Sequence, residues 1–157
     1  MIRLTKQTDY GIVLMTHLAG APGRQFSAPE LAAELQVPLP MASKILKLLA
    51  RDGLLHSHRG VKGGYGLQRP PEEISMAEII AALEGPIAMT ECIEEAHAFL
   101  GDCSREPFCA VRANWQVINR AVERALAGIK LSEMVHPLPP LPALGLVQLG
   151  GQQPERR

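Results

Sequence analysis

Between Ser27 and Arg69 the chain is interrupted so often that only short elements can form there. "SAPELAAEL" opens with a helix-start signature. Ser27 can cap the amide of Glu30, Glu30 can reach back, Phe26 can staple onto Leu31, and Pro29 is harmless in a first turn. "QVPLP" then stops the helix, because Pro38 and Pro40 cannot continue a helix interior. A further helix is predicted over "MASKILKLLARDG", with Met41, Ile45, Leu48 and Leu49 on one face and Gly53 as its stop. Two short helices joined by a tight turn make a helix-turn-helix, whose second helix can enter a DNA major groove. "LLHSHRGVKGGYGLQR" follows, and reads as two short strands around Leu54–Leu55 and Tyr65–Leu67 with a glycine-rich basic tip. A hairpin placed directly after a recognition helix is a wing.

The flanking segments complete a small helical domain. Tyr10, Val13, Leu14, His17 and Leu18 fall at helical spacing, so a first helix is expected over residues 5–20, closing at Gly20. "SMAEIIAALEG" is expected to form a helix capped by Ser75 and Glu78 and ended by Gly85–Pro86. In "ANWQVINRAVERALAGIKLSEMV", Trp115, Ile118, Val122, Leu126 and Ile129 form a heptad-like stripe. Aromatics are only 4% of the chain, which favours a modest helical core over a β-sandwich and leaves this stripe little to pack against. A homodimer through that helix is the economical reading. The expected fold class is therefore mainly α with a small β wing. It has a winged helix-turn-helix domain over 1–86, a cysteine-bearing loop over 87–112, a dimerisation helix over 113–136 and a disordered Pro-, Gly- and Gln-rich tail over 137–157.

The net charge is zero, but residues 1–69 carry nine Lys and Arg against four Asp and Glu, and residues 70–157 carry seven against twelve. One end is thus built for an anionic partner. Lys44, Lys47 and Arg51 share the helix face opposite the apolar one, Ser43 lies near the helix start, and Arg59 and Lys62 stand on the wing tip. Such groups neutralise phosphates, donate to guanine and enter a minor groove, so the expected partner is a double-stranded DNA operator. The N-terminal "GIVLMTHLAGA" resembles a signal peptide, but Asp9, Tyr10, Thr16 and His17 interrupt it. A cytoplasmic, membrane-free and reducing setting is expected, where clustered thiols point to metal or redox chemistry before disulfides.

All three cysteines, Cys92, Cys103 and Cys109, lie in "ECIEEAHAFLGDCSREPFCAVR". Their C-x10-C and C-x5-C spacings match neither zinc-finger pairs nor ferredoxin runs. Their polar neighbours, Glu91, Gly101, Asp102 and Pro107, argue against three buried hydrophobes. Soft thiolates favour iron–sulfur clusters or zinc, and three of them leave a ligand to be found elsewhere. His97 is one substitute, with Glu94, Glu95 and Asp102 behind it. Direct thiol–disulfide sensing remains a separate reading. No nucleophile motif or oxyanion turn accompanies the thiols, so an enzyme is not expected.

The stretches "RLTKQTDYGI" and "RGVKGGYGL", and the cysteine segment ahead of a long helix, resemble the IscR/NsrR-type winged-helix repressors. "NWQVINRAVERAL" with "LSEM" is similar to the branch that regulates SUF iron–sulfur assembly genes, and the likeness covers about residues 1–135. The resemblance implies a homodimeric, cluster-sensing repressor of such genes on a palindromic operator. By it, Ser43, Lys44 and Arg59 would carry base or groove contacts. It also implies that Asp9 in "TKQTDYG" supplies the missing ligand across the dimer, although Asp at that place could equally cap the first helix. Two departures stand out: the first cysteine gap is ten where IscR-like members have five, and Arg112 stands where they place a histidine ligand. The cluster type is not fixed by these residues; [2Fe–2S] is placed just ahead of [4Fe–4S]. A cluster-free thiol or zinc regulator and a nitric-oxide-responsive repressor are the alternatives.

Overall fold

The computed structural model describes residues 3–58, 60, 63–90 and 109–135. Helix α1 (Lys6–Ala19) starts at Thr5, whose hydroxyl accepts the Thr8 amide, and closes at Gly20. Its buried face is Thr8, Gly11, Leu14, Met15 and Leu18; Val13, expected inside, is exposed. Gly11 allows a close approach there: a Cβ would collide with Leu83 Cδ1 of the helix packed across it, and that side chain would have to shift.

Helix α2 (Ala28–Glu34) has the full capping box. Glu30 N–H reaches Ser27 Oγ at 3.3 Å and Ser27 N–H reaches Glu30 Oε2 at 3.2 Å. Phe26 and Leu31, the expected staple, are both fully buried in the core. The turn after α2 takes its left-handed residue at Gln36 (φ 54°), and Val37 N–H closes back on Ala32 O at 3.0 Å. Helix α3 (Leu39–Arg51) begins two residues before the expected Met41, with Pro38 as its cap. Pro40 lies inside the first turn, where an amide has no intrahelical partner to lose. Ala42, Ile45, Leu46 and Leu49 seat α3 in the core, with Met41 and Leu48 at its margin.

Strands β1 (Leu55–His58) and β2 (Gly64–Leu67) form the antiparallel wing, in register Leu55↔Leu67, His56↔Gly66, Ser57↔Tyr65 and His58↔Gly64. The wing is tied to the domain by a two-way bridge: Phe26 N–H to Tyr65 O at 3.0 Å and Tyr65 N–H to Phe26 O at 2.8 Å. This approach needs glycine at 64, where a Cβ would stand 2.6 Å from Phe26 O.

A 3₁₀ turn (Pro71–Glu73) leads into α4 (Met76–Glu84), capped by Ser75 and Glu78 as expected and ended at Gly85 (φ 94°). The long helix expected over 113–136 is two helices, α5 (Arg112–Gly128) and α6 (Leu131–Val135). The break has a cause in the fold. Met76 N–H donates to Ile129 O and Leu131 N–H to Ile74 O, both at 2.9 Å, and Leu131 is fully buried. The chain thus returns to the winged domain after α5. Among the described residues, no helix is long and apolar enough to cross a membrane.

Candidate nucleic-acid interface and thiol site

On α3, Lys44, Lys47 and Arg51 are exposed and Ser43 is half-buried, so the basic face points outward while the apolar face is spent on the core. Arg51 is already engaged, its Nε donating to Asp52 Oδ1 at 3.0 Å. A phosphate would have to compete with that carboxylate. At the wing tip, Gly60 takes φ 121° and its carbonyl accepts Gly63 N–H at 2.9 Å; Arg59 and Lys62 lie outside the described residues.

Two wing residues lie outside the expected basic set. His56 and His58 stand on the face of β1 opposite buried Leu55, with ring centroids 5.2 Å apart in an edge-to-face pair. His56 Nε2 also lies 3.4 Å from Gln25 Nε2. The alternation in "LHSH" could have marked both side chains for one face.

Of the three thiols, Cys109 is described. It is half-buried, forms no disulfide with a described residue, and its carbonyl accepts the Arg112 amide at 3.4 Å as α5 begins. Cys92, Cys103 and His97 lie outside the described residues, and no group of three metal-binding side chains assembles among those described. Asp9 sits exposed in the first turn of α1, and no described residue hydrogen-bonds its carboxylate. The capping role that competed for Asp9 is filled by Thr5.

Two residues not singled out from the sequence hold the base of the cysteine segment. Glu84, the last residue of α4, accepts from Thr5 N–H at 2.9 Å and Thr8 Oγ1–H at 2.5 Å, while Gln7 Nε2 donates to Leu83 O at 2.9 Å. The turn of α1 that carries Asp9 is thereby fixed to the end of α4. The bond from Thr8, with that from the Thr5 amide, holds the Glu84 carboxyl below its usual range despite partial burial. Asn119 is buried on α5, and its amide acts like a strand edge: Nδ2–H donates to Ile87 O at 2.8 Å and Oδ1 accepts Met89 N–H at 3.0 Å. The chain entering the cysteine segment is pinned to the helix that follows it. A polar residue in a helix with an apolar stripe gave no sign of this partner, which is some thirty positions away.

A family model described as Rrf2, iron-dependent transcriptional regulator, matches residues 4–137. The chain is 31% identical over 155 residues to protein aau3 of Rhizobium meliloti, a match covering 99% of this chain and 96% of that one. Among solved structures it is similar to CymR, described as the global cysteine regulator of B. subtilis, with a TM-score of 0.66 and 29% identity over 86% of this chain and 97% of that one. It is also similar to T. potens IscR, with a TM-score of 0.63 and 25% identity over 85% and 86% of the two chains.

Proposed function

Because this chain belongs to the Rrf2 family of winged-helix, DNA-binding transcriptional regulators, which are not enzymes, we propose that it is a homodimeric repressor of iron–sulfur assembly genes that senses an iron–sulfur cluster. The observation that carries this reading is the arrangement around the thiols. Every cysteine of the chain falls in or at the end of one segment, and that segment's base is pinned to α5 by Asn119 and to α1 by the Glu84 lock.

The donors fit such a group. Cys109 is half-buried at the start of α5 without a disulfide to a described residue, and Asp9 presents a carboxylate with no hydrogen bond to one. Cys92, Cys103 and Cys109 would hold the cluster, with Asp9 of the partner subunit as fourth ligand; soft thiolates with one hard oxygen suit an iron–sulfur centre. When bound, the cluster supplies a tie that iron shortage, oxidants or nitric oxide can sever. The chain's own residues do the rest. Asn119 passes the position of the cysteine segment to α5, and Glu84 passes the position of α4 to the α1 turn bearing Asp9. α3 rides on α1 and α4 in the same core. Ser43, Lys44, Lys47 and Arg51 then present one set of contacts per subunit, with Arg59 and Lys62 on the wing. Half-sites repeat about every 34 Å along a duplex, so the spacing of two recognition helices sets operator affinity.

Oxygen-free purification followed by an absorption spectrum and iron and acid-labile sulfide counts tests this. The wild-type chain should be coloured and carry both, Cys103→Ser should lose them, and Asp9→Ala should lower retention while leaving the fold intact. Colourless, iron-free wild-type protein defeats the proposal. The likeness to Staphylococcus aureus CymR, whose structure is described in an oxidized form, favours a second reading, reversible thiol oxidation without a cluster. An oxidant-dependent disulfide in colourless protein would select it, and stoichiometric zinc would select the zinc-dependent alternative instead.

A further inference from the structure

His56 and His58 form a built feature of the wing. Their partners across the ladder are Gly66 and Gly64, so this face of the hairpin has two imidazoles on one strand and bare backbone on the other. A Cβ at Gly66 would lie 2.7 Å from His56 Nε2 and 2.8 Å from Cε1, so a larger residue there would push the imidazole off this place. The His56 ring is thus seated over the glycine, with the His58 ring at its edge and Gln25 beside it. The face they occupy is turned away from the core that buries Leu55, and it runs into the basic tip.

We infer that His56 and His58 are DNA-backbone contacts whose protonation couples operator binding to pH. Imidazole is the side chain that changes charge near neutrality, and a phosphate brought against it favours the charged form. Binding the duplex therefore takes up protons, and affinity rises as pH falls. Gln25 Nε2 can donate only to an unprotonated His56 Nε2, so protonation of that ring requires the Gln25 amide to turn its oxygen towards it, whereas His58 has no such partner among the hydrogen bonds of the described residues. Arg24, stacked 4.2 Å over Phe26, is committed to Glu30 at 2.6 Å. The charged groups of α3 and its cap, Lys44, Lys47, Arg51 and Asp52, make no hydrogen bond to either ring. His17 lies away from the wing pair, 2.9 Å from Glu34. The inference rests on the DNA-binding role of the wing and is independent of the cluster.

The test is operator affinity of the full chain at pH 8 and pH 6, at fixed salt. Wild-type binding should tighten about three- to tenfold on acidification, and His56→Gln/His58→Gln should lose most of that gain. At pH 6 the double variant should also show a shallower salt dependence, by about one to two phosphate contacts. His58→Gln alone, at the exposed ring, should remove part of the gain and guards against misfolding of the double variant. Equal tightening in wild type and variants overturns the inference and assigns the pH dependence elsewhere, His17 included. No tightening in wild type overturns it too, and absence of any duplex binding overturns the DNA-binding role with it.

Discussion

At the scale of single residues, Glu84 joins two parts of the molecule through an exposed carboxylate. Its bonds from Thr8 and Thr5 exist in the folded chain and hold its carboxyl below the usual 4.5. A group whose folded pKa is depressed stabilises the fold above its unfolded value, and that contribution fades as pH falls through the folded one. Glu78 behaves alike: burial pushes its carboxyl up, but bonds from Arg69 and Ser75 outweigh this and leave it low. The chain should therefore lose stability as pH drops below about 4.5. Glu84→Gln, which keeps an acceptor without a titrating charge, should flatten part of that loss. The effect is modest, under about 1 kcal/mol after solvent screening, and thermal melts of both proteins at pH 7 and pH 4 would register it. An identical acid response in the variant would remove Glu84 from the account. Residues of this kind were hidden in the sequence, because Glu84 and Asn119 act on backbone far along the chain. Ser27, Glu30, Ser75 and Glu78 were legible because their partners sit three positions away.

At the scale of elements, local chemistry was the reliable guide. The capping boxes, the glycine stops and the hairpin all depend on neighbours within a few residues, and the structure has them at Ser27, Ser75, Gly85 and Gly64. The errors came where tertiary contacts decide. Periodicity ran the last helix through Ile129, whereas pairing of Ile129 and Leu131 with Met76 and Ile74 breaks it at Gly128. Pro40 looked like a breaker but falls in a first turn. The stripe on α5 stays uncovered within one chain: Ile118 is 42% exposed, and Trp115, Val122 and Leu126 are only half-buried. In the proposed homodimer, a second copy of α5 would cover it. Ile118→Glu should leave the single chain folded, since the side chain is outside its core, yet shift light scattering from dimer to monomer and weaken operator binding at least tenfold. A variant that scatters as a dimer with unchanged affinity would place the interface elsewhere.

At the scale of the whole molecule, the charge polarity of the sequence becomes a division of labour. The basic half folds into the recognition helix and wing, and the acidic half holds the cysteine segment and α5. The fold class was readable because breakers and caps constrain short helices tightly. The thiol site was readable only as a composition: Cys92 and Cys103 lie outside the described residues, and spacing alone names no metal. What links the halves is the packing of α1 on α4 and of α4 on α5, with Glu84 and Asn119 as its polar fastenings. A change at the thiols should therefore reach the DNA-binding surface. The most direct measurement is operator affinity of one anaerobic preparation before and after iron is stripped, beside a variant with Cys92, Cys103 and Cys109 replaced by serine. A tenfold or larger change in the wild type that is absent in the variant is predicted. Equal affinities in all three samples would contradict the coupling.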